Sequence, residues 1–538
     1  MRSTDSPDLQ QSDDAQSTAA TVHGEASKLL PSLEERSQHA RLQKESVAGL
    51  ASEGQTVDRA EQVGESPSKV SNVGTSVAEP LAKGEDQGSR GGTKDAAKDG
   101  AKGGDRDAAK DGVKDGNASC PVSTEYNTLI DKAWRNIYDP TPLGDLASLK
   151  NKYNCQIKTP EDAFRFVNQE LGKTDDHFSR VLNPAQVRQF DNLLKGSSKG
   201  IGIEVVPVDP EKAKEFGSLK VIEVIPGSSA AQKGVQRGDY ISAVDGVDLK
   251  TKTPEEAFAL IQSQKTHQIT VFRNGEKLEL SLPQTTVDVP AVVDRVIPGT
   301  NIAYIRVRDF MQDDESYELQ NAIKRHPYVD GFVFDVRGNL GGSVLQALQS
   351  ASMVVGEGTL LTQKMRHEDD SPTGPATYDN TDYTLDQYEL VTRTIMPDGK
   401  VSEIRDLRLP DIVDKPTVVL VNKDTASAAE IFAAALQQTN EATLVGTQTF
   451  GKGIGQTVFY KQPAGSRLQV TNFRFYTPNG DWIGDANKNR IGVKPNQVVE
   501  NGKFAEPETS TDLQFQAAIA TINRQLGRRS LPQNEPRR

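Results

Sequence analysis

Two short segments rich in small residues hold the groups best suited to chemistry: Thr425-Ala426-Ser427-Ala428-Ala429-Glu430 and Phe450-Gly451-Lys452-Gly453-Ile454-Gly455-Gln456. A serine hydroxyl attacks an acyl carbon only when a neighbouring base takes its proton, and a lysine held neutral is such a base. Bringing a lysine from its ordinary pKa of about 10.4 to near neutrality takes about 3 units, roughly 4 kcal/mol, which burial without a carboxylate partner supplies. Gln456 can orient the amine without charging it. Ser427 and Lys452 therefore read as the nucleophile and base of a hydrolase.

Each residue also has a plainer reading. Ser427 stands where a turn becomes a helix, and most serines in such places are N-caps. Gly446-Thr-Gln-Thr-Phe-Gly451-Lys452 fits the first seven positions of a phosphate-binding loop, but that motif needs Ser or Thr after the lysine and a helix beyond it. Here Gly453 follows, and then the strand-like Val458-Phe459-Tyr460. Other catalytic sets do worse. The six histidines (23, 39, 177, 267, 326 and 367) show no metal-ligand spacing, and a Ser-His-Asp triad has no evident histidine. With 75 acidic residues, no particular carboxylate pair is informative. No metal and no cofactor is expected.

The elements that must position these groups are those of an α/β domain, strands alternating with helices from about Val292 to Glu500. Gly331 to Val336 suits a buried strand; Arg337-Gly338-Asn339-Leu340-Gly341-Gly342 follows, then a helix that Ser343 can cap. Glycines at such a turn let backbone N–H groups face a ligand, as an oxyanion hole requires. A second unit runs from the strand Thr417–Val421 through a turn to a helix over Ala428–Leu436. It puts Ser427 at a helix N-terminus and makes Ala428 N–H one oxyanion donor.

Upstream the pattern changes. From Gly200 to Pro283 short strands (Gly202–Val206, Leu219–Val224, Tyr240–Val244, Ile269–Arg273) surround one helix opening at Thr253-Pro254-Glu255-Glu256. The segment resembles a PDZ domain. Gly200-Ile201-Gly202-Ile203 stands in the place of that family's carboxylate-binding loop, and Gly234 to Ile241 matches its central signature. Ser228-Ser229-Ala230 departs from the usual Ser-Pro-Ala. The PDZ recognition mode adds a peptide strand to the sheet edge while the glycine loop holds the terminal carboxylate.

From Cys120 to Lys199 apolar residues recur at helical spacing (Tyr126, Leu129, Ile130, Trp134), and Thr159-Pro160-Glu161-Asp162 starts a helix. The strings Ala133 to Pro140 and Asp175 to Leu182 read on physics alone as helix ends with aromatic anchors. Cys120 and Cys155 can pair if they meet in an oxidising compartment; the sequence leaves this open and favours two free thiols. Residues 1–119, dominated by Ser, Asp, Glu, Lys, Gly, Gln and Ala, cannot bury enough apolar surface to order and are expected to be disordered.

The net charge of -12 is interleaved, with no basic stripe for nucleic acid. No run approaches 18 apolar residues, so no integral membrane segment is expected, and the first residues show no signal-peptide pattern.

Taken together, Thr-Ala-Ser427-Ala-Ala-Glu-Ile-Phe, Phe-Gly-Lys452-Gly-Ile-Gly-Gln456 and Asp335-Val-Arg-Gly-Asn-Leu-Gly-Gly342 resemble the carboxyl-terminal processing (tail-specific) proteases, the S41 peptidase family. The likeness runs from about Tyr126 to Val499. It implies a multi-domain α/β protein: a disordered tail (1–119), a helical N-terminal domain (120–199), an inserted PDZ domain (200–285), a crotonase-like protease core (286–505) and a C-terminal helix and tail (506–538). It also implies a serine endopeptidase without cofactor, cutting proteins at or near exposed apolar C-termini that the PDZ domain binds. Ser427 would be the nucleophile, Lys452 the base and Gln456 its orienting partner. The oxyanion donors would be Ala428 and either Gly341 or Gly342. Relatives carry Gln-Asp where this chain has Gln437-Gln438, a second serine at Ala429, and Pro-Asp at Pro495-Asn496. The resemblance leaves room for an adaptor or a homo-oligomer, and suggests an extracytoplasmic location such as the periplasm or envelope. The competing reading is a non-catalytic PDZ scaffold on a protease-like fold. The polar stretch from about Thr362 to Asp414 is longer than a loop needs to be and is expected to form a lid or bridging element.

Overall fold

The computed structural model describes residues 120–527, apart from 263–265, 368–374 and 410–412, together with the dipeptide 72–73. The expectation of disorder for residues 1–119 otherwise lies outside the described residues.

The N-terminal region is built on two helices, α1 (Thr124–Asn136) and α2 (Pro160–Leu171). Ser123 caps the first, and Thr159 with Asp162 closes a full capping box on the second, as the Thr-Pro-Glu-Asp string indicates. Their apolar faces bury Tyr126, Ile130, Trp134, Phe166 and Val167 in one cluster. Cys120 and Cys155 form a disulfide, which corrects the leaning toward free thiols. Asp175 to Leu182 is also not a helix end. Arg180–Leu182 forms a strand, β1, and the helix Pro184–Leu194 (α3) comes only after it.

The next segment is a twisted antiparallel sheet. Its strands are β3 (Ile203–Pro207), β4 (Leu219–Val224), β5 (Tyr240–Val244), β6 (Thr266–Arg273) and β7 (Glu276–Pro283), in that spatial order. Alternating Ile203, Val205, Val221, Ile241, Ile269 and Val271 face a helix, α4 (Pro254–Gln262), which brings Ala257 and Ile261 to the same core. The dipeptide Asn72–Val73 pairs with the free side of β3, Val73 opposite Ile203. Strands β2 (Ser197–Gly200) and β8 (Thr285–Asp288) enter and leave this segment as an antiparallel pair.

The core follows from two runs without a polar interruption, Gly-Phe-Val-Phe-Asp and Thr-Val-Val-Leu-Val, whose every residue is buried. Such strands need cover on both faces, and parallel sheets provide it. They form β11 (Gly331–Asp335) and β16 (Thr417–Val421) at the centre of a six-stranded sheet. The order is β9 (Val292–Val296), β10 (Ile302–Val307), β11, β16, β17 (Thr443–Gly446) and β20 (Gln497–Val498), parallel except for β9. One face is covered by α5 (Glu315–Lys324), α6 (Val344–Ala351) and α7 (Ala428–Gln438); the other by α8 (Leu513–Gln525) through Phe515, Ala518 and Ile522.

A second core sheet is antiparallel. Its spatial order is β15 (Val401–Leu407), β14 (Glu389–Ile395), β13 (Tyr378–Leu385), β12 (Gly358–Arg366), β19 (Arg467–Tyr476) and β1, with β18 (Ile454–Phe459) also paired to β19. The polar stretch after Thr362 therefore forms most of a sheet rather than a separate lid. Strand β1 ties the N-terminal region into it, Arg180 opposite Gln469.

The β3–β7 sheet meets the core through charge. Glu204 of β3 is buried and held by Arg306 at 2.7 Å and Arg308 at 2.8 Å, both from the β10 end. Burial pushes its carboxyl up, but the two guanidinium groups outweigh burial and hold it below the usual range. Among the described residues no helix is long and apolar enough to cross a membrane.

Candidate active site

Strand β16 ends at Val421, and the chain turns through Asn422 to Ala426 before α7 begins. Ser427 is the pivot, with φ +60° and ψ −121°, a conformation that L-residues rarely adopt and that surrounding structure must enforce. The enforcement is visible: Thr425 Oγ donates to Val336 O at 2.9 Å, Ala426 N–H to Asn339 O at 2.9 Å, and Phe450 N–H to Thr425 O at 2.9 Å. Ser427 is fully buried and its Oγ has no hydrogen-bond partner among the described residues. It does not serve as the side-chain cap of α7.

The glycine loop after β11 lies against this turn. A Cβ on Gly341 would stand 2.8 Å from Ser427 Cβ and 2.9 Å from Ala428 N, so only glycine permits the approach. Gly341 N–H donates to Asn339 Oδ1 at 2.9 Å. The N–H groups of Gly342 and Ala428 have no acceptor among the described residues. The same loop is anchored by Arg337, which grips Asp335 on its own strand and Asp512, the cap of α8.

Lys452 follows Gly451, whose positive φ of 90° and contact with the Arg490 backbone leave no room for a side chain. The lysine is 2% exposed. Its Nζ donates to Gln456 Oε1 at 3.2 Å and lies 4.0 Å from the centre of the Phe178 ring. Gln456 is oriented by its other end: Nε2 donates to Thr471 Oγ1 at 2.9 Å, and Thr471 N–H donates to Ser179 Oγ at 2.8 Å. Burial, the largest influence, pushes the ammonium down to about 7, against the pull of the Asp176 and Glu430 carboxylates. An amine that titrates near neutrality in a dry pocket is a base ready to act.

The structure thus brings Ser427, Ala428, Gly341, Gly342, Lys452 and Gln456 into one neighbourhood. Gly200 ends β2, Ile201 and Gly202 form the turn after it, and Ile203 opens β3. There Gly202, at φ 80°, packs on Ser228, and Ile201 O accepts from Ala230 N–H at 3.0 Å.

The residue that binds the two chemical segments together is one that the sequence reading left aside. Glu430 is fully buried, and its carboxylate accepts from Ser427 N–H, Gly451 N–H and Lys452 N–H, each at 2.8 Å, and from Thr449 Oγ1. Burial raises its pKa, and the four donors counter the rise. The signal was present as the Ser-x-x-Glu spacing of a capping box. Phe178 and Ser179 were missed as well, because nothing local in Asp175 to Leu182 points toward a lysine some 270 residues later.

Residues 301–499 match the model of peptidase family S41, and residues 220–272 that of the PDZ domain. A carboxyl-terminal-processing protease of Picosynechococcus sp. is 30% identical over 373 residues, covering 68% of this chain and 80% of the relative. The carboxy-terminal processing protease CtpA of Bacillus subtilis is 28% identical over 363 residues, covering 66% and 68%. Among solved structures, a photosystem II D1 C-terminal processing protease aligns with 74% of this chain and 100% of its own, at 24% identity and a TM-score of 0.44. The chain belongs to the S41 family of carboxyl-terminal-processing proteases, with a PDZ domain, and is a serine-type peptidase.

Proposed function

We propose that Ser427 is the nucleophile of this peptidase, Lys452 its general base and Gln456 the residue that orients the base. The observation that carries this reading is the state of Lys452 Nζ: sealed from water, pushed down to about 7, and facing a neutral amide oxygen rather than a carboxylate. With a peptide carbonyl over Ser427, the neutral amine takes the hydroxyl proton as Oγ attacks. The oxyanion is received by Ala428 N–H and Gly342 N–H, the two donors left open by the loop; Gly341 serves by its lack of a side chain. The ammonium then gives its proton to the departing amine, and water repeats the cycle on the acyl-enzyme. Because Ser427 Oγ is unpartnered and Nζ rests on Gln456, the proton-transfer contact forms when substrate closes the site, as is common for unliganded enzymes.

The substrates are proteins with exposed apolar C-termini. The loop Gly200–Ile203 and the edge of β3 take the tail in place of Asn72–Val73, which pairs with that edge here, and so raise the effective concentration of the scissile segment near the core. The relatives' names support processing at the C-terminus. The test is hydrolysis of an unfolded protein with an apolar tail by wild type, Ser427→Ala and Lys452→Ala. Each variant is expected to lose at least about 10³-fold in kcat. A wild type no faster than either variant would refute the dyad and favour a non-catalytic scaffold.

A further inference from the structure

We infer that Asp176 is a positioning residue of the peptidase reaction: it folds the chain so that Phe178 and Ser179 hold Lys452 and Gln456 in place from the N-terminal region. The inference rests on reading Lys452 as the base. Asp176 stands in the turn before β1, and its two oxygens go to two different neighbours. Oδ1 accepts from Phe178 N–H at 2.9 Å, and Oδ2 accepts from Ser179 Oγ. An aspartate that accepts the N–H two residues on closes an Asx turn, which fixes the chain direction without help from a helix or sheet. From this turn two routes lead to Lys452 Nζ. Phe178 takes the direct one: its ring centre lies 4.0 Å from Nζ, and its carbonyl accepts from Gln469 Nε2 of β19 at 3.1 Å. Ser179, which is buried, takes the other. Thr471 N–H donates to Ser179 Oγ at 2.8 Å, Gln456 Nε2 donates to Thr471 Oγ1 at 2.9 Å, and Nζ donates to Gln456 Oε1 at 3.2 Å.

The second route needs a carboxylate at its head. A serine hydroxyl has one proton and a backbone N–H can only donate, so Ser179 receives Thr471 N–H on a lone pair and sends its own proton elsewhere. Asp176 Oδ2 is where it goes. An amide that kept Oδ1 on Phe178 N–H would turn its NH₂ toward Ser179 and leave the serine proton without that acceptor. The charge matters separately. The charged groups that reach Nζ are Asp176 and Glu430, which favour the ammonium, and Arg180, which opposes it. Glu430 is occupied by its four donors, and Asp485, whose backbone bridges that of Lys452, turns its carboxylate to Asn487 and Asn489. Asp176 is likewise occupied, by Phe178 and Ser179, so it acts on the amine through space without pairing with it. One carboxylate from outside the α/β core thus aims the base by hydrogen bonds and adjusts its proton affinity by charge, two effects that separate experimentally.

The test is the pH dependence of kcat and KM on an unstructured reporter peptide for full-length wild type, Asp176→Asn and Ser179→Ala, with thermal unfolding of each. Asp176→Asn should lower kcat at least about tenfold with KM within about twofold of wild type. Its midpoint should also move below the wild-type value of about 7 by about half a unit or more, because a lost negative charge disfavours the ammonium. The variant then loses a smaller share of its own plateau rate than wild type between pH 8 and pH 6. Ser179→Ala breaks the hydrogen-bonded route and keeps the charge, so kcat should fall similarly while the midpoint stays at the wild-type value. A merely structural role would lower both rates without this split. Either variant decides alone if the other does not fold. Asp176→Asn with wild-type kcat, or with a midpoint at or above that of wild type, overturns the inference, as does Ser179→Ala at full kcat. Failure of the underlying reading looks different: Lys452→Ala stays active and wild type shows no midpoint near neutrality.

Discussion

Replacing Gln456 by Glu alters one atom of the side chain and sets a carboxylate where a neutral amide oxygen stands 3.2 Å from Lys452 Nζ. Thr471 Oγ1, which now accepts from the amide, can turn its own proton to the carboxylate, so the site keeps its shape. At an effective dielectric constant of about 20, opposite charges at this separation attract by about 4 to 5 kcal/mol. Burying the new carboxylate offsets part of that, leaving about 3 pKa units restored to the lysine. The base would then titrate near 10 instead of about 7. At pH 8 its neutral fraction falls from about nine-tenths to about one-hundredth, so kcat/KM drops about 100-fold. The loss should vanish progressively as pH rises toward 10, because the neutral amine is recovered. The assay is the pH profile of kcat/KM on an unstructured reporter peptide, pH 6 to 10.5, for wild type and Gln456→Glu. A variant whose profile runs parallel to wild type, with its midpoint still near neutrality, would refute the proposed placement of Gln456 against the base.

Glu430→Gln keeps the volume but leaves one acceptor oxygen for four donors, two of which then face an amide NH₂. Hydrogen bonds to a charged group are worth about 1.5–3 kcal/mol each, so unfolding free energy should fall by about 3 kcal/mol or more. Turnover should drop about 10²–10³-fold with KM little changed, and steady-state kinetics beside urea unfolding would show both; a stable enzyme of full rate would sink the idea that Glu430 sets the two loops. Reducing the Cys120–Cys155 disulfide, whose residues are 35 apart, removes about 4 kcal/mol of loop-closure stabilisation. Because the N-terminal region also covers Lys452 through Phe178, activity and the first thermal transition should fall together in reductant, and an unchanged transition would refute that linkage.

The strands Thr417–Val421 and Gly331–Asp335 and the helices after them were legible because each carries its own evidence: an apolar run, then a turn, and in the second case a cap. Ser343 is such a cap, accepting from Gln346 N–H. The segment Asp175 to Leu182 failed for the opposite reason. Its three-residue strand exists only because β19 supplies the other half of the ladder, some 290 residues away, and no local propensity encodes that pairing. The polar strands β13 to β15 were misjudged because a sheet with a solvated face and an open edge lacks the apolar density by which buried strands announce themselves. The disulfide could not be read at all, since pairing depends on how α1 and the chain before α2 are brought together.

The same distinction governs the site. Ser427 and Lys452 stand out as residue types at short range from glycines, but the surroundings that fit Lys452 to the proposed role of base are assembled from distant pieces. Phe178 arrives from the N-terminal region, Thr471 from β19 to hold Gln456, and Glu430 from the first turn of the helix that begins at the serine. Glu430 does two things at once in this arrangement. A single carboxylate accepts the N–H of Ser427 and the N–H of Lys452 on the same oxygen, so neither backbone can move without disturbing the other. The strained φ of Ser427 and the burial of Lys452 are then stabilised by one group, and perturbing either residue should be felt at both. The carboxylate's charge is met by backbone donors rather than by the ammonium, which leaves Lys452 free to be neutral when the peptide bond arrives.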